Sequence, residues 1–312
     1  MTQSSGKHRF NLNRAEVVDE NFVALVKSLD DDAGRECASP DTVVDAESGL
    51  TAQDVIELFE SQMVARHLDI EARRMRARNE GFYTISSAGH EGNAVVGRLT
   101  RHTDLAFIHY RSGAFMAERA RKVPGTDIVA DTLLGCAASR EDPTSGGRHK
   151  VWGSRPLWVP PQTSTIASHL PKAVGAAMTL ARAKRLGVES ELPDDSIVVC
   201  SFGDASVNHA VAQTAFNAAA HAAHVHLPVP ILFVCEDNGI GISVKTPTSW
   251  IESLFRGRHG FHYVQGDGLD LFDAFRNVAE AVERCRRLRE PVFYHLKVVR
   301  LLGHAGSDAE TE

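Results

Sequence analysis

Two polar residues that could bind a metal ion each follow an almost wholly apolar run of the sequence. Asp204 comes after "IVVCSFG" and Asn238 after "PILFVCED". Carboxylate and amide oxygens are ligands suited to Mg²⁺, which typically keeps its remaining positions for phosphate oxygens and water. Gly203 and Gly239 stand beside them and would let the backbone approach a bulky ligand. The pattern indicates an anchor for a metal ion and a diphosphate, although Asp and Asn also end strands as ordinary turn residues.

The apolar runs predict the elements that would bring these two residues together. Runs of this kind are typical of parallel strands that are buried on both faces. We expect strands at 197–203 and 230–236, joined by a helix at 208–223 in a right-handed βαβ unit. In such sheets ligands bind outside the carboxyl ends of the strands. If the two strands are neighbours, the side chains of Asp204 and Asn238 would therefore lie close together.

The rest of the chain extends this alternation of helices and strands. Thr51 is a plausible cap for a long helix that ends at Gly81, and a helix at 271–288 precedes the strand "PVFYHLKVV". Residues 137–163 are rich in Gly, Pro and Ser and predict a long irregular region. The expected fold class is α/β, with a doubly wound, mainly parallel sheet flanked by helices. We expect the acidic residues 1–50 to be flexible and residues 51–312 to form the folded domain.

Composition and charge narrow the class of protein. With 312 residues, of which 43% are hydrophobic, the chain can bury the large core of a globular protein. A formal net charge of −6 argues against a nucleic-acid-binding protein that relies on phosphate contacts. The sequence contains no apolar segment of membrane-spanning length and no apolar signal core near its start. Its five widely spaced cysteines indicate reduced thiols. We expect a cytoplasmic protein with no nucleic-acid or membrane partner.

Several motifs, in the same order along the chain, resemble the α subunits of E1 components of 2-oxo acid dehydrogenase complexes, particularly the branched-chain type. "GDASVN…CEDNGIGIS" resembles their thiamine diphosphate motif, G-D-G followed by N-N. "DLAFIHYRSGAFM" is similar to the family's tyrosine–arginine segment, "STIASHLPKAVGAA" to the stretch that grips the aminopyrimidine ring, and "VVRLLGHAGSD" to the start of the histidine-bearing loop. The resemblance covers residues 51–312 and implies the thiamine-diphosphate-binding fold.

This resemblance implies a role for each matching residue. Asp204 and Asn238 would bind Mg²⁺ through their side chains, and Ile240 through its carbonyl group. Tyr110 and Arg111 would contact the diphosphate, for which a planar guanidinium is well matched, although such a pair at a strand end can also be an ordinary surface feature. His304 would lie near the diphosphate and the substrate, where it could move a proton. The other implied cofactor contacts are Ser164, Ile166, Gly203 and Ala205.

The sequence departs from the family's motif at several positions. Ala205 replaces the second glycine, and Asp237 replaces the first asparagine, which adds negative charge near the expected diphosphate. The spacing from Asp204 to Asn238 is a few residues longer than in relatives, because "HAAHVHLPVP" is extended. Ala305 replaces a serine that is often a phosphorylation site in the family, which excludes that regulation at this position.

Other positions remain open from the sequence alone. His149 is a weak candidate for contact with the cofactor. Potassium binding by the 163–169 segment is undecided, because Thr163, Thr165 and Ser168 offer oxygens while His169 replaces an expected amide. The chain stops at "GHAGSDAETE", inside the loop, so we expect a truncated product or one half of a split protein.

The resemblance implies an activity and a set of partners. The implied reaction is the oxidative decarboxylation of a 2-oxo acid, with a branched-chain acid preferred, and transfer of the acyl group to the lipoyl arm of E2. In the family an E1 β subunit supplies the glutamate that activates thiamine diphosphate, which implies an α₂β₂ assembly and little activity for this chain alone. Three alternatives stay open: an acetoin-type or pyruvate-type subunit, a degenerate non-catalytic assembly protein, and a generic nucleotide-binding domain, although the last lacks G-x-G-x-x-G.

Overall fold

A computed structural model describes residues 13–28, 38–82, 85–148, 152–162, 165–306 and 308. Its helices in that part of the chain are α1 (Arg14–Ser28), α2 (Ala52–Ala77), α3 (Ala94–Leu99), α4 (Gly113–Ala120), α5 (Ile128–Cys136), α6 (His169–Arg185), α7 (Ala210–His224), α8 (Trp250–Phe255) and α9 (Leu271–Leu288). Its strands are β1 (Val43–Asp45), β2 (Leu50–Thr51), β3 (Leu105–Phe107), β4 (Val198–Gly203), β5 (Ile231–Asp237), β6 (His262–Asp267) and β7 (Val292–Lys297). None of the described helices is both long and apolar enough to span a bilayer.

The centre of the fold is a five-stranded sheet in the order β3-β4-β5-β7-β6. Every pair of neighbouring strands in it is parallel. β4 and β5 are neighbours, with Gly203 opposite Glu236, and α7 connects them. The βαβ unit predicted from the two apolar runs is therefore confirmed, and its strands end side by side.

Helices cover both faces of this sheet, because successive strand residues point to opposite faces. On one face Val199, Val234 and Tyr294 belong to a core that includes α3, α4 and α9. On the other face Cys200 and Phe233 belong to a second core with α6, α7 and α8. This arrangement of two cores confirms the doubly wound α/β architecture.

The long helix predicted after Thr51 is present as α2. The Thr51 hydroxyl accepts a hydrogen bond from the Asp54 amide at 3.2 Å, and the Asp54 carboxylate accepts one from the Thr51 amide at 3.1 Å. This capping box fixes the start of the helix. The helix ends at Ala77, before the predicted Gly81, because Asn79 adopts a left-handed φ of +58°.

The segment 1–50, predicted to be flexible, contains regular structure in its described part. α1 begins after Asn13, whose side-chain oxygen accepts the Ala15 amide at 3.1 Å. An ion pair of 2.6 Å between Asp19 and Arg73 connects α1 to α2. α1 nevertheless has no buried residue, so local capping and surface contacts stabilise it rather than a core.

Candidate active site

A cavity of about 340 Å³ lies at the carboxyl ends of β4 and β5. It is lined by segments that are far apart in the sequence, because parallel strands place their ends at one edge of the sheet. Every described residue that was predicted to contact Mg²⁺ or the cofactor through the family resemblance is among its lining residues, which include Tyr110, Arg111, Ile166, Gly203, Asp204, Ala205, Asn238, Ile240 and His304. Ser164, Thr163 and His149 lie outside the described residues.

Asp204 begins a tight 3₁₀ turn, Asp204–Asn208, directly after β4. Only 1% of its surface is exposed, and its carboxylate accepts a hydrogen bond from the Thr246 hydroxyl. Burial raises the pKa of Asp204, because a desolvated carboxylate has lost the water that would stabilise its charge. A cation in the cavity would restore that stabilisation.

Asn238 and Ile240 form the turn that follows β5. The side-chain oxygen of Asn238 accepts the Ile240 amide at 3.1 Å, and Gly239 has a φ of +75°. That conformation favours glycine, because a side chain there would be strained. A bridge between Ile240 and Lys245 closes the turn beside Asp204. The turn thus holds the Asn238 amide and the backbone of Ile240 at the cavity.

Arg111 is a buried cation at the base of the cavity, with 2% of its surface exposed. Its guanidinium donates to the carbonyl oxygens of Ser86 and His304, the latter at 2.8 Å. Among the described residues no carboxylate lies within ion-pair distance of it, and burial lowers its pKa. A buried guanidinium without a counter-ion is unfavourable unless an anion binds beside it.

Tyr110 and His304 meet at the rim of the cavity, with their ring centroids 5.9 Å apart and their rings edge-on. The Arg111 guanidinium lies 5.1 Å from the centre of the Tyr110 ring. Burial and the charge of Arg111 lower the pKa of His304, so its ring is neutral at pH 7. A neutral imidazole can accept or relay a proton beside this cation.

Asp237 does not place its charge in the cavity. Its carboxylate accepts a hydrogen bond from the ring N–H of His295 at 2.7 Å and forms an ion pair with Lys297. Although burial opposes its charge, these two partners lower the pKa of Asp237 to about 2. The concern that an acid at this position would repel a diphosphate is therefore not supported, because Lys297 neutralises that charge.

The longer spacing between Asp204 and Asn238 is absorbed at the opposite edge of the sheet. The extra residues lie between the end of α7 at His224 and the start of β5 at Ile231. There Val229 donates to the Arg289 carbonyl at 2.8 Å. Because this loop precedes β5 and the cavity follows it, the loop lies at the opposite end of the strand from the cavity.

Comparisons with known proteins show which family this chain belongs to. The profile of the dehydrogenase E1 component family matches residues 60–312. The chain belongs to this family. It is 26% identical over 266 residues to 2-oxoisovalerate dehydrogenase subunit alpha, mitochondrial, of Mus musculus, covering 83% of this chain and 55% of that protein. It is 27% identical over 272 residues to 2-oxoisovalerate dehydrogenase subunit alpha of Bacillus subtilis, covering 84% of this chain and 76% of that protein. The chain thus spans about half the length of the mouse relative.

Among solved structures, transketolase from Campylobacter jejuni matches this E1-family chain with a TM-score of 0.55 at 16% identity. The match covers 78% of this chain and 38% of the transketolase chain. A likeness at that identity concerns the fold alone. It confirms the fold class that the sequence predicted.

The stretch considered for potassium in this E1-family chain is only partly described. His169, which replaces the expected amide, begins α6 and has one ring nitrogen 2.9 Å from the Ser201 carbonyl oxygen. That nitrogen therefore carries a proton and donates. The Ser168 hydroxyl donates to the Thr165 carbonyl at 2.9 Å. Potassium binding by this segment therefore remains undecided.

The sequence interpretation missed several residues at the cavity. Arg300 lines it and donates to the Gly241 carbonyl at 2.6 Å, which adds a second cation. His109 is buried, and neither ring nitrogen has a hydrogen-bond partner in the described part of the chain. Glu236 lies in the run that the sequence predicts as a buried apolar strand. A carboxylate in such a run was the available signal, because a buried acid needs a partner.

Proposed function

We propose that this chain is the α-type subunit of a thiamine-diphosphate-dependent E1 enzyme for 2-oxo acids, with a branched-chain acid as the preferred substrate. Residues 51–312 act as one domain in this proposal. The domain holds the Mg²⁺–diphosphate end of the cofactor in the cavity at the ends of β4 and β5.

The observation that carries the proposal is that one cavity is lined by a buried cation and a buried anion, neither of which has an ion-pair partner among the described residues. Arg111 is a buried guanidinium that has no carboxylate partner in the described residues, and Asp204 is a buried carboxylate held by a hydroxyl. A diphosphate with its Mg²⁺ supplies the missing anion to the first and the missing cation to the second. The donor set therefore fits a metal–diphosphate group.

This proposal gives a role to each site residue that the sequence predicts. The side-chain oxygens of Asp204 and Asn238 and the carbonyl oxygen of Ile240 bind Mg²⁺. Arg111 and Tyr110 bind the diphosphate, with Arg300 as a second cation at the rim. The further contacts to the cofactor are Ser164, Ile166, Gly203 and Ala205.

His304 is the proposed catalytic residue. Thiamine diphosphate, when bound, supplies the carbanion that adds to a 2-oxo acid and the electron sink that lets CO₂ leave. The neutral His304 ring, beside Arg111 and Tyr110, accepts or returns a proton at the substrate oxygen. The overall reaction consumes a 2-oxo acid, a proton and a lipoyl disulfide, and it releases CO₂ and an acyl-dihydrolipoyl thioester.

The partners in this proposal are an E1 β-type subunit, in an α₂β₂ assembly, and a lipoyl-bearing E2. The named relatives are α subunits of 2-oxoisovalerate dehydrogenase, which supports both a partner subunit and a branched-chain substrate. A potassium ion near 163–169 and a cytoplasmic location stay predictions. The position of Asp237 removes one argument for a degenerate protein, because its charge is paired outside the cavity.

The experiment that tests the proposal compares Asp204→Ala with the wild type by calorimetric titration of thiamine diphosphate, with and without Mg²⁺. We expect the variant to fold normally and its Mg²⁺-dependent affinity to fall more than about 100-fold, since even outer-shell partners of a metal are worth about 10- to 100-fold. Asp267→Ala is the matched control, because Asp267 ends β6 at the same edge of the sheet but does not line the cavity.

Either of two results would contradict the proposal. The first is equal affinity of Asp204→Ala and the wild type, which would exclude Asp204 as a metal ligand. The second is wild-type protein that binds no thiamine diphosphate with Mg²⁺ and a β-type partner present, which would exclude the cofactor altogether.

A further inference from the structure

We infer that Glu236 and His90 are positioning residues, a buried relay that orients the Asn238 amide so that its oxygen faces the cavity. The relay lies beneath the cavity, where His90 and Glu236 are both fully buried. The orientation is a property of the folded chain itself. Only its purpose, presenting a metal ligand, rests on the proposed function.

The orientation of Asn238 follows from a group whose role is unambiguous. The backbone N–H of Ile240 can only donate, and it lies 3.1 Å from the Asn238 side-chain oxygen. The nitrogen of that amide must then be at the other end, where it lies 3.0 Å from Nε2 of His90. An amide nitrogen can only donate, so Nε2 of His90 must be an acceptor.

That requirement fixes the tautomer of His90. A neutral imidazole has one N–H, and if Nε2 accepts, the proton is on Nδ1. Nδ1 lies 2.7 Å from Oε2 of Glu236, which accepts its hydrogen bond. Because one ring nitrogen accepts and the other donates, the hydrogen-bond geometry corresponds to a neutral ring. The side-chain amide of Asn93 donates to the same carboxylate oxygen at 3.3 Å.

The loop that carries His90 is held by α2 and by the segment that follows β7. Its Gly89 carbonyl accepts the Val299 amide at 3.2 Å, and Asp69 accepts the Ser87 amide at 2.6 Å. Gly89 has a φ of +93°, and a Cβ there would come within 2.2 Å of the Val299 carbonyl oxygen. This close approach leaves the His90 ring little freedom to move away from Asn238.

The same geometry argues against a second metal site at these residues. One ligand atom each from His90, His109 and Glu236 lies within 4.8 Å of the others. However, Nδ1 of His90 carries the proton that Glu236 accepts, and Nε2 accepts from Asn238, so His90 has no lone pair left for a metal. Both ring nitrogens of His90 are therefore already engaged in hydrogen bonds.

The first test needs no ligand. In ¹⁵N-histidine-labelled protein, the His90 ring is assigned by comparison with His90→Gln, and its nitrogen shifts report the tautomer. We expect a neutral ring at pH 7 with the proton on Nδ1. A proton on Nε2, or a charged ring, would overturn the inference whether or not the protein binds thiamine diphosphate.

The second test measures the affinity for thiamine diphosphate with Mg²⁺. Glutamine can both accept from Asn238 and donate to Glu236, so His90→Gln should stay within about 3-fold of the wild type, whereas His90→Leu should weaken binding about 10- to 100-fold. His295→Leu is the matched control, because it removes another buried histidine–carboxylate hydrogen bond without contacting Asn238.

The outcomes of the second test distinguish a failure of the relay from a failure of the proposed function. Wild-type affinity in His90→Leu would overturn the relay while leaving the proposed function intact. An equal loss in His90→Gln and His90→Leu would also overturn it, because the rescue depends on the hydrogen bonds alone. Absence of Mg²⁺-dependent binding in the wild type would contradict the proposed function, and the ring tautomer would still decide the relay.

Discussion

At Arg111 burial and charge are in conflict. Its guanidinium is 2% exposed, and its hydrogen bonds within the described chain go to the carbonyl oxygens of Ser86 and His304 and to the His304 ring. Carbonyl dipoles stabilise a cation less than an anion does, so the charge remains available to a ligand. This surplus of positive charge is a property of the single residue and its immediate contacts.

A substitution at Arg111 should therefore affect the diphosphate more than the rest of the cofactor. We expect Arg111→Gln to weaken thiamine diphosphate binding about 100-fold, since hydrogen bonds to charged groups contribute about 1.5–3 kcal/mol each. Arg111→Lys should be intermediate, because it keeps the charge but loses the planar fork. Each protein is titrated with thiamine diphosphate and with thiamine, which lacks the diphosphate, and the ratio of the two affinities is compared between the wild type and the variants. A ratio unchanged in Arg111→Gln would exclude this residue from diphosphate binding.

The polar residues at the end of strand β5 point to different surroundings. Its side chains alternate between the two faces of the sheet. Glu236 follows the face of Val234 and meets His90, whereas Asp237 follows the face of Cys235 and meets His295 and Lys297. Asn238 comes just after the strand and reaches the cavity. Three consecutive residues therefore differ in role: Glu236 belongs to the buried relay, Asp237 to an ion pair, and Asn238 is a candidate metal ligand.

The ion pair at Asp237 should make the stability of this element depend on pH. A carboxyl whose folded pKa is lowered to about 2 stabilises the protein above its unfolded pKa, and that stabilisation is lost as the pH falls from about 4 to about 2. Asp237→Asn should then lower the free energy of unfolding at pH 7 by about 2–3 kcal/mol and reduce its dependence on pH in the acid range.

Denaturant unfolding of the wild type and Asp237→Asn at pH values from 7 to the acid limit of folding measures this effect. Glu141→Gln is the control, because Glu141 and its partner Arg140 are largely exposed. Equal loss of stability on acidification in wild type and Asp237→Asn would show that the ion pair does not contribute as described.

At the scale of the whole molecule, the parallel sheet gathers the cavity from segments near residues 110, 166, 204, 240 and 304. In the proposed assembly this chain would hold the diphosphate, and the β-type subunit would supply the glutamate that activates the cofactor. The complete reaction would then need both subunits.

Reconstitution tests this division of roles. We expect the chain alone to show no decarboxylation of 2-oxo acids. A mixture with an E1 β-type subunit should decarboxylate branched-chain 2-oxo acids faster than pyruvate. Asp204→Ala should assemble with the partner to the same mass, measured by light scattering, yet stay inactive. Activity of the chain alone, or of the assembled Asp204→Ala complex, would contradict the proposed arrangement.

The sequence by itself determined the βαβ unit, the fold class and most of the cavity's lining residues. Apolar runs that end in Asp204 and Asn238 are local patterns, and parallel strands necessarily bring such ends to one edge of a sheet. The capped helix after Thr51 was likewise predictable, because capping acts over a few residues.

Only the tertiary structure decided what Asp237, Glu236 and His90 do. The direction of a strand side chain depends on its register, and its partner depends on which distant segment packs there; His90 and Glu236 are 146 positions apart in the chain. The sequence left Asp237 as an unfavourable acid beside a diphosphate, and the fold pairs it with Lys297 on the other face. Long-range packing fixes such pairs, and no local pattern encodes them.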